Sequence, residues 1–187
     1  TILRRAVDLV RQRHGKEFTQ HTIPVDDPAT FRLLSSGEVT GVFQVESSGM
    51  RRVLTSMQPT RFEHIVAVLA LYRPGPMEFI EDYVARMRGL QAPAYDHPAL
   101  EPILGETFGV CVYQEQIIRI LTDIAGYSPG EADTVRRAVG KKHRDELVVH
   151  RAKFVEGAQV HSGLDEAAGN KIFDAFEYFA RYGFNKA

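Results

Sequence analysis

Between Thr60 and Pro76 the chain encodes one helix that must sit in the middle of whatever fold forms. Ile65-Val66-Ala67-Val68-Leu69-Ala70-Leu71 is apolar on nearly every side of a 3.6-residue repeat, so no face of it suits water. Thr60-Arg61-Phe62-Glu63 in front of it has the form of a capping box. Arg73-Pro74-Gly75-Pro76 behind it stops the helix, because proline disfavours helix in the residue before it and two prolines flank a permissive glycine. A helix of this kind needs other elements packed around it.

The remaining sequence supplies them, and capping chemistry marks where they start and stop. An amphipathic helix (Ile2, Leu3, Ala6, Val7, Leu9, Val10) opens the chain and ends near Gly15, followed by a polar connector over 16–25. Asp27-Pro28 offers an N-cap with proline at the first helical position, for a helix that ends at Gly37. Ser47-Ser48-Gly49 caps a helix over 50–57, and another helix is expected over 77–87. A loop containing proline and alanine covers 89–97, and a short helix covers 98–104. Helices are expected over 114–125, from the Ser128-Pro129-Gly130-Glu131 capping box onward, over 145–161 and over 165–180. Two stretches carry strand-like patterns: β-branched and apolar alternation over 39–45, and the apolar run over 108–112. The expected fold is therefore mainly α, a multi-helix module with one or two short β-strands. No repeat or low-complexity tract is visible.

With 187 residues and 44% hydrophobic content, the chain can bury a core of one domain or two small ones. Its 23 Lys+Arg against 24 Asp+Glu leave no global basic field, so any anion site is local. The single cysteine, Cys111, lies among Val110, Val112 and Tyr113 and reads as a buried apolar group. The apolar run over 65–72 falls well short of the roughly 20 residues of a membrane span, so no membrane partner is expected. The chain opens without methionine inside a helical pattern and closes without a polar tail, and reads as a piece of something longer.

The local site that stands out is Arg136-Arg137-Ala138-Val139-Gly140-Lys141-Lys142. Two readings of it stand. Cations suit a helix C-terminus, Gly140 suits a C-cap, and Asp133 is spaced to pair with Arg137. Alternatively the cluster clamps a polyanion. Adjacent helical residues diverge by about 100°, which predicts that Asp133 neutralises only one arginine and leaves the other for a ligand. A second candidate is Ser48-Gly49-Met50-Arg51-Arg52, either a phosphate-backbone contact at a helix N-terminus or a solvated face. Tyr113-Gln114-Glu115-Gln116 reads as an ordinary first helical turn. The chain has no Asp-x-Asp, HExxH or Gly-x-Ser-x-Gly pattern. Asp26-Asp27 reads as a cap, Glu78, Glu81 and Asp82 read as solvated charge, and His143 and His150 lack a zinc pattern. No catalytic or metal-binding residue is therefore assigned within this sequence.

Five ordered motifs carry a resemblance across essentially the whole chain: Gly41-Val42-Phe43-Gln44-Val45-Glu46-Ser47-Ser48-Gly49-Met50, Leu71-Tyr72-Arg73-Pro74-Gly75-Pro76-Met77, Val112-Tyr113-Gln114-Glu115-Gln116, the basic cluster, and Tyr182-Gly183-Phe184-Asn185-Lys186. Together they resemble the C-family replicative polymerases, the alpha subunits of bacterial DNA polymerase III, in their fingers region. The resemblance implies a lead-in helix over 1–15 from a preceding palm and a helical fingers region over 16–187, in which the proline- and alanine-containing loop near 89–97 is the clearest internal seam after the break at 73–76. It implies that Arg136, Arg137, Lys141, Lys142 and Arg73 bind the triphosphate of an incoming dNTP. Arg51, Arg52, Asn185 and Lys186 are candidate cleft or DNA-backbone contacts. The implied parent is a cytoplasmic DNA-directed DNA polymerase of chromosomal replication whose palm supplies the aspartates. The segment alone would then be inactive and bind no cofactor, with Mg²⁺ expected in the intact enzyme. Implied partners are dNTP, primer-template DNA, the palm of the same polypeptide, and the sliding clamp and other replisome subunits. The alternative from another class is a non-enzymatic helical module that binds nucleic-acid backbone or another protein.

Overall fold

The computed structural model describes residues 2–15, 17–140 and 144–186, with the backbone alone at 139, 140 and 144–147. Ten α-helices carry the described fold: α1 (Ile2–His14), α2 (Pro28–Ser36), α3 (Ser48–Met57), α4 (Phe62–Leu71), α5 (Ile80–Met87), α6 (Glu101–Leu104), α7 (Gln114–Arg119), α8 (Pro129–Gly140), α9 (Arg144–Ser162) and α10 (Glu166–Ala180). A 3₁₀ turn, Pro76–Phe79, leads into α5, and a π turn, Ile120–Ile124, prolongs α7. Local caps do what the sequence asks. The Asp27 carboxylate accepts from the Ala29 and Thr30 amides, Ser47 from Met50, and Asp165 from Ala168. Ser128 and Glu131 form their capping box reciprocally. The box expected at Thr60 does not form: α4 begins at Phe62, Glu63 pairs with Arg61, and the Thr60 amide donates to His64 Nδ1 instead.

The buried side chains form two apolar cores. One packs α2, α3, α4 and α5 around Leu54, Met57, Val68, Leu71 and Tyr83. The central helix α4 belongs to it, although Phe62 at its start is half-exposed. The other packs α7 to α10 around Ile117, Leu121, Phe154, Phe173 and Phe176. In α10 the stripe Gly169, Ile172, Phe173, Phe176 and Ala180 follows helical spacing, and the Phe173 and Phe176 rings meet edge-on at 4.5 Å between centroids. By contrast, α1 buries none of its residues.

The expectation of one or two β-strands is corrected: the described fold is all-helical, with a single isolated bridge between Tyr113 and Phe184. Residues 39–45 make two successive turns, with the Val42 amide donating to Val39 and the Val45 amide to Val42. Gly41 and Gln44 take positive φ of 82° and 67°, which breaks an extended chain. The valines at 39 and 45 are buried while Phe43 is 85% exposed, so the apolar pattern records a turn pinned at its two ends.

In the run over 108–112, Phe108 and Gly109 take positive φ of 54° and 86°, and residues 110–113 pair with no sheet. They thread between the cores: Val110 and Val112 face the first, Cys111 the second. Burial on both sides explains the unbroken apolar run. The backbone is satisfied from elsewhere, because Gln116 Oε1 accepts from the amides of Val112 and Tyr113 at 2.8 and 2.9 Å. The other end of Gln116 donates to Thr107 Oγ1 and the Ile103 carbonyl.

Candidate functional site

The site is built where α8 faces the start of α7 and the C-terminal segment over 182–186. Asp133, Arg136 and Arg137 occupy consecutive turns of α8, and their side chains meet through one carboxylate. Arg136 Nη2 lies 2.8 Å from Asp133 Oδ1, and Arg137 Nη2 lies 2.7 Å from Asp133 Oδ2. The expectation that Asp133 neutralises only one arginine is therefore corrected. The backbone directions of neighbouring residues diverge, but two long side chains curl back onto the two oxygens of one carboxylate. The triad retains one net positive charge. The hydrogen bond from Arg136, followed by the charges of Arg136 and Arg137, holds the Asp133 carboxyl below its usual range.

The two arginines differ in freedom. The Arg137 side chain is 60% exposed, whereas that of Arg136 is 20% exposed and donates its Nη1 to Gln114 Oε1 at 3.0 Å. Lys141, Lys142 and His143 lie outside the described residues.

The C-terminal segment is laced to the same place. The Gln114 amide nitrogen of the backbone donates to the Phe184 carbonyl, and the Phe184 amide donates to Val112. Arg73 donates Nε to the Ala70 carbonyl at 2.8 Å and Nη2 to the Tyr182 carbonyl at 2.7 Å, with its guanidinium over the Phe184 ring. Burial lowers the Arg73 pKa from its usual value. Gly75 makes this approach feasible: its φ is 104°, and a Cβ there would lie 2.5 Å from the Tyr182 ring. Lys186 donates Nζ to Glu106 at 2.6 Å and its backbone amide to Glu115. Asn185 is exposed beside it.

Arg136, Arg73, Asn185 and Lys186 are thus joined through one segment. Arg51 and Arg52 are not part of that network among the described residues. In α3, Arg51 donates to Thr40 Oγ1 at 2.7 Å and Arg52 is exposed. Two residues escape a sequence reading. Gln114 and Gln116 look like ordinary first-turn residues, yet Gln116 is buried and Gln114 touches the arginine of the site. The available signal is their place, two amides directly after an apolar run.

Among the described residues no group of three or more His, Cys, Asp and Glu side chains is arranged to hold a metal ion. No helix among them is long and apolar enough to cross a membrane.

Residues 1–162 match the family model described as the bacterial DNA polymerase III alpha subunit finger domain. The whole chain is similar to proteins named DNA polymerase III subunit alpha, at 49% identity in Halalkalibacterium halodurans and 48% in Thermus aquaticus. The Staphylococcus epidermidis protein of the same name is 52% identical over 88% of this chain. The chain spans only 17%, 16% and 15% of the lengths of these three relatives.

Proposed function

Since the chain belongs to the bacterial DNA polymerase III alpha subunit finger-domain family, we propose that it serves a longer DNA-directed DNA polymerase by holding the triphosphate of the incoming dNTP. The observation that carries the proposal is the meeting of Arg136 and Arg137 on the two oxygens of Asp133. One carboxylate holds two guanidinium forks side by side. A triphosphate brings more negative charge than Asp133 and can displace it from both. Arg137, the more exposed, swings to the ligand, while Arg136 is already placed. The contribution to nucleotidyl transfer is positioning and charge neutralisation.

Lys141 and Lys142 extend the clamp in this proposal. Arg73 spends two of its nitrogens on carbonyls and keeps Nη1 without a hydrogen bond among the described residues, available to the same ligand. Exposed Arg52, Asn185 and Lys186, with Arg51, are assigned to the backbone of primer-template DNA. In the same proposal Mg²⁺ and the metal-assisted steps belong to the palm of the longer polypeptide. The sliding clamp and the cytoplasmic replisome are partners of that whole protein in the same proposal.

The test is steady-state primer extension by the complete polymerase carrying Arg136→Ala or Arg137→Ala. Each variant is expected to raise KM for dNTP or lower kcat by roughly tenfold or more, with its melting temperature near that of the parent. Unchanged kinetics in both variants reject the proposal.

A further inference from the structure

We propose that Gln114 is the positioning residue that keeps Arg136 aimed at the nucleotide while Asp133 gives way. The inference rests on the assignment of Arg136 to the triphosphate and adds to it a residue outside the basic cluster.

The guanidinium of Arg136 is held at two edges. Asp133 takes Nε at 3.1 Å and Nη2 at 2.8 Å, and Gln114 takes Nη1 at 3.0 Å. Of these holders only Asp133 is charged, so only Asp133 competes directly with an arriving polyanion. The neutral Gln114 contact persists after the carboxylate is displaced, and it limits how far the guanidinium turns. Orientation fixed in advance is orientation that binding does not have to supply.

An amide is the side chain this position calls for. Arg136 can only donate and a backbone carbonyl can only accept. Gln114 meets both demands at once: its Oε1 accepts from Arg136, and its Nε2 donates to the Gly183 carbonyl at 3.0 Å. A carboxylate here would face the Gly183 carbonyl with a second acceptor, and an apolar side chain would leave both contacts unmade. The amide orientation follows from these partners.

The anchor on the other side is firm. Gly183 approaches so closely that a Cβ on it would lie 3.1 Å from Gln114 Cγ. The backbone amide of Gln114 is bonded to Phe184, and the carbonyl of Tyr182 is held by Arg73. Gln114 therefore connects Arg136 to the segment over 182–184, and through it to Arg73.

The experiment uses the complete polymerase with Gln114→Met, which keeps the methylene packing and removes both amide contacts, alongside Arg136→Ala, Arg136→Lys and the Gln114→Met/Arg136→Ala double variant. Gln114→Met is expected to raise KM for dNTP about fivefold or more with kcat little changed. In the Arg136→Ala background the same change is expected to add less than about twofold, because the partner it positions is gone. Arg136→Lys keeps the charge but cannot span Asp133 and Gln114, and its KM is expected to rise comparably to that of Gln114→Met. A normal KM in Gln114→Met, or a full additive effect on Arg136→Ala, overturns the proposal. So does a near-normal Arg136→Lys, which also decides the matter should Gln114→Met fail to fold. A purely structural Gln114 lowers the melting temperature and leaves KM alone. If Arg136→Ala itself has no kinetic effect, the triphosphate assignment fails first, and that outcome is distinct from the others.

Discussion

At the scale of single residues, Asp133 shows how one carboxylate can serve two arginines whose backbone positions point apart. The spacing was legible, and so was the pairing with Arg137; the reach of Arg136 was not, because rotamers of long side chains are set by surroundings such as Gln114. The arrangement predicts a titration. The Asp133 carboxyl should have its midpoint below the usual aspartate range, with the carboxylate favoured in the folded state. The stabilisation this gives is complete above the unfolded value and is lost as pH falls through the folded midpoint. Carboxyl NMR across the acid range should find Arg136→Ala moving that midpoint upward more than Arg137→Ala, since the Arg136 hydrogen bond is the largest cause. Equal shifts in the two variants contradict this account.

Among elements, caps were readable and extended segments were not. Asp27, Ser47, Ser128 with Glu131, and Asp165 cap helices using partners within three residues, so the sequence contains the whole interaction. The Glu131 carboxyl, pulled down to about 2, owes its shift first to the hydrogen bond from Lys153 on α9, a partner no local window contains, and then to Ser128. The entry into α7 depends even more on distant groups. Gln116 accepts from two buried amides and donates to Thr107 and Ile103, which lets a buried stretch pass through the interior without a sheet. Gln116→Leu is expected to destabilise the protein by about 2–4 kcal/mol in urea denaturation, since it leaves both amides without an acceptor. A loss below about 0.5 kcal/mol would mean that those amides find other partners.

For the whole molecule, the two cores meet along residues 110–113, and the Tyr178 hydroxyl donates to Glu78 across the same divide. Cys111 sits at this joint, and burial pushes its thiol up to about 12. A thiol in that state does not react at neutral pH unless the joint opens. Alkylation of the native protein should therefore be far slower than that of the urea-unfolded chain, and should follow the unfolding curve. Labelling at the rate of a free cysteine would show that the cores part readily. The sequence by itself determined where the helices lie, which stretches are apolar and where a basic cluster sits, because periodicity, caps and charge spacing act over a few residues. Only the tertiary structure decided that the two strand-like runs are a turn and a threaded segment, because apolar alternation reports burial and not the hydrogen-bond partner. The same holds at the arginines: their charge was written locally, but their aim depends on Gln114 and Gly183, brought together from 69 positions apart.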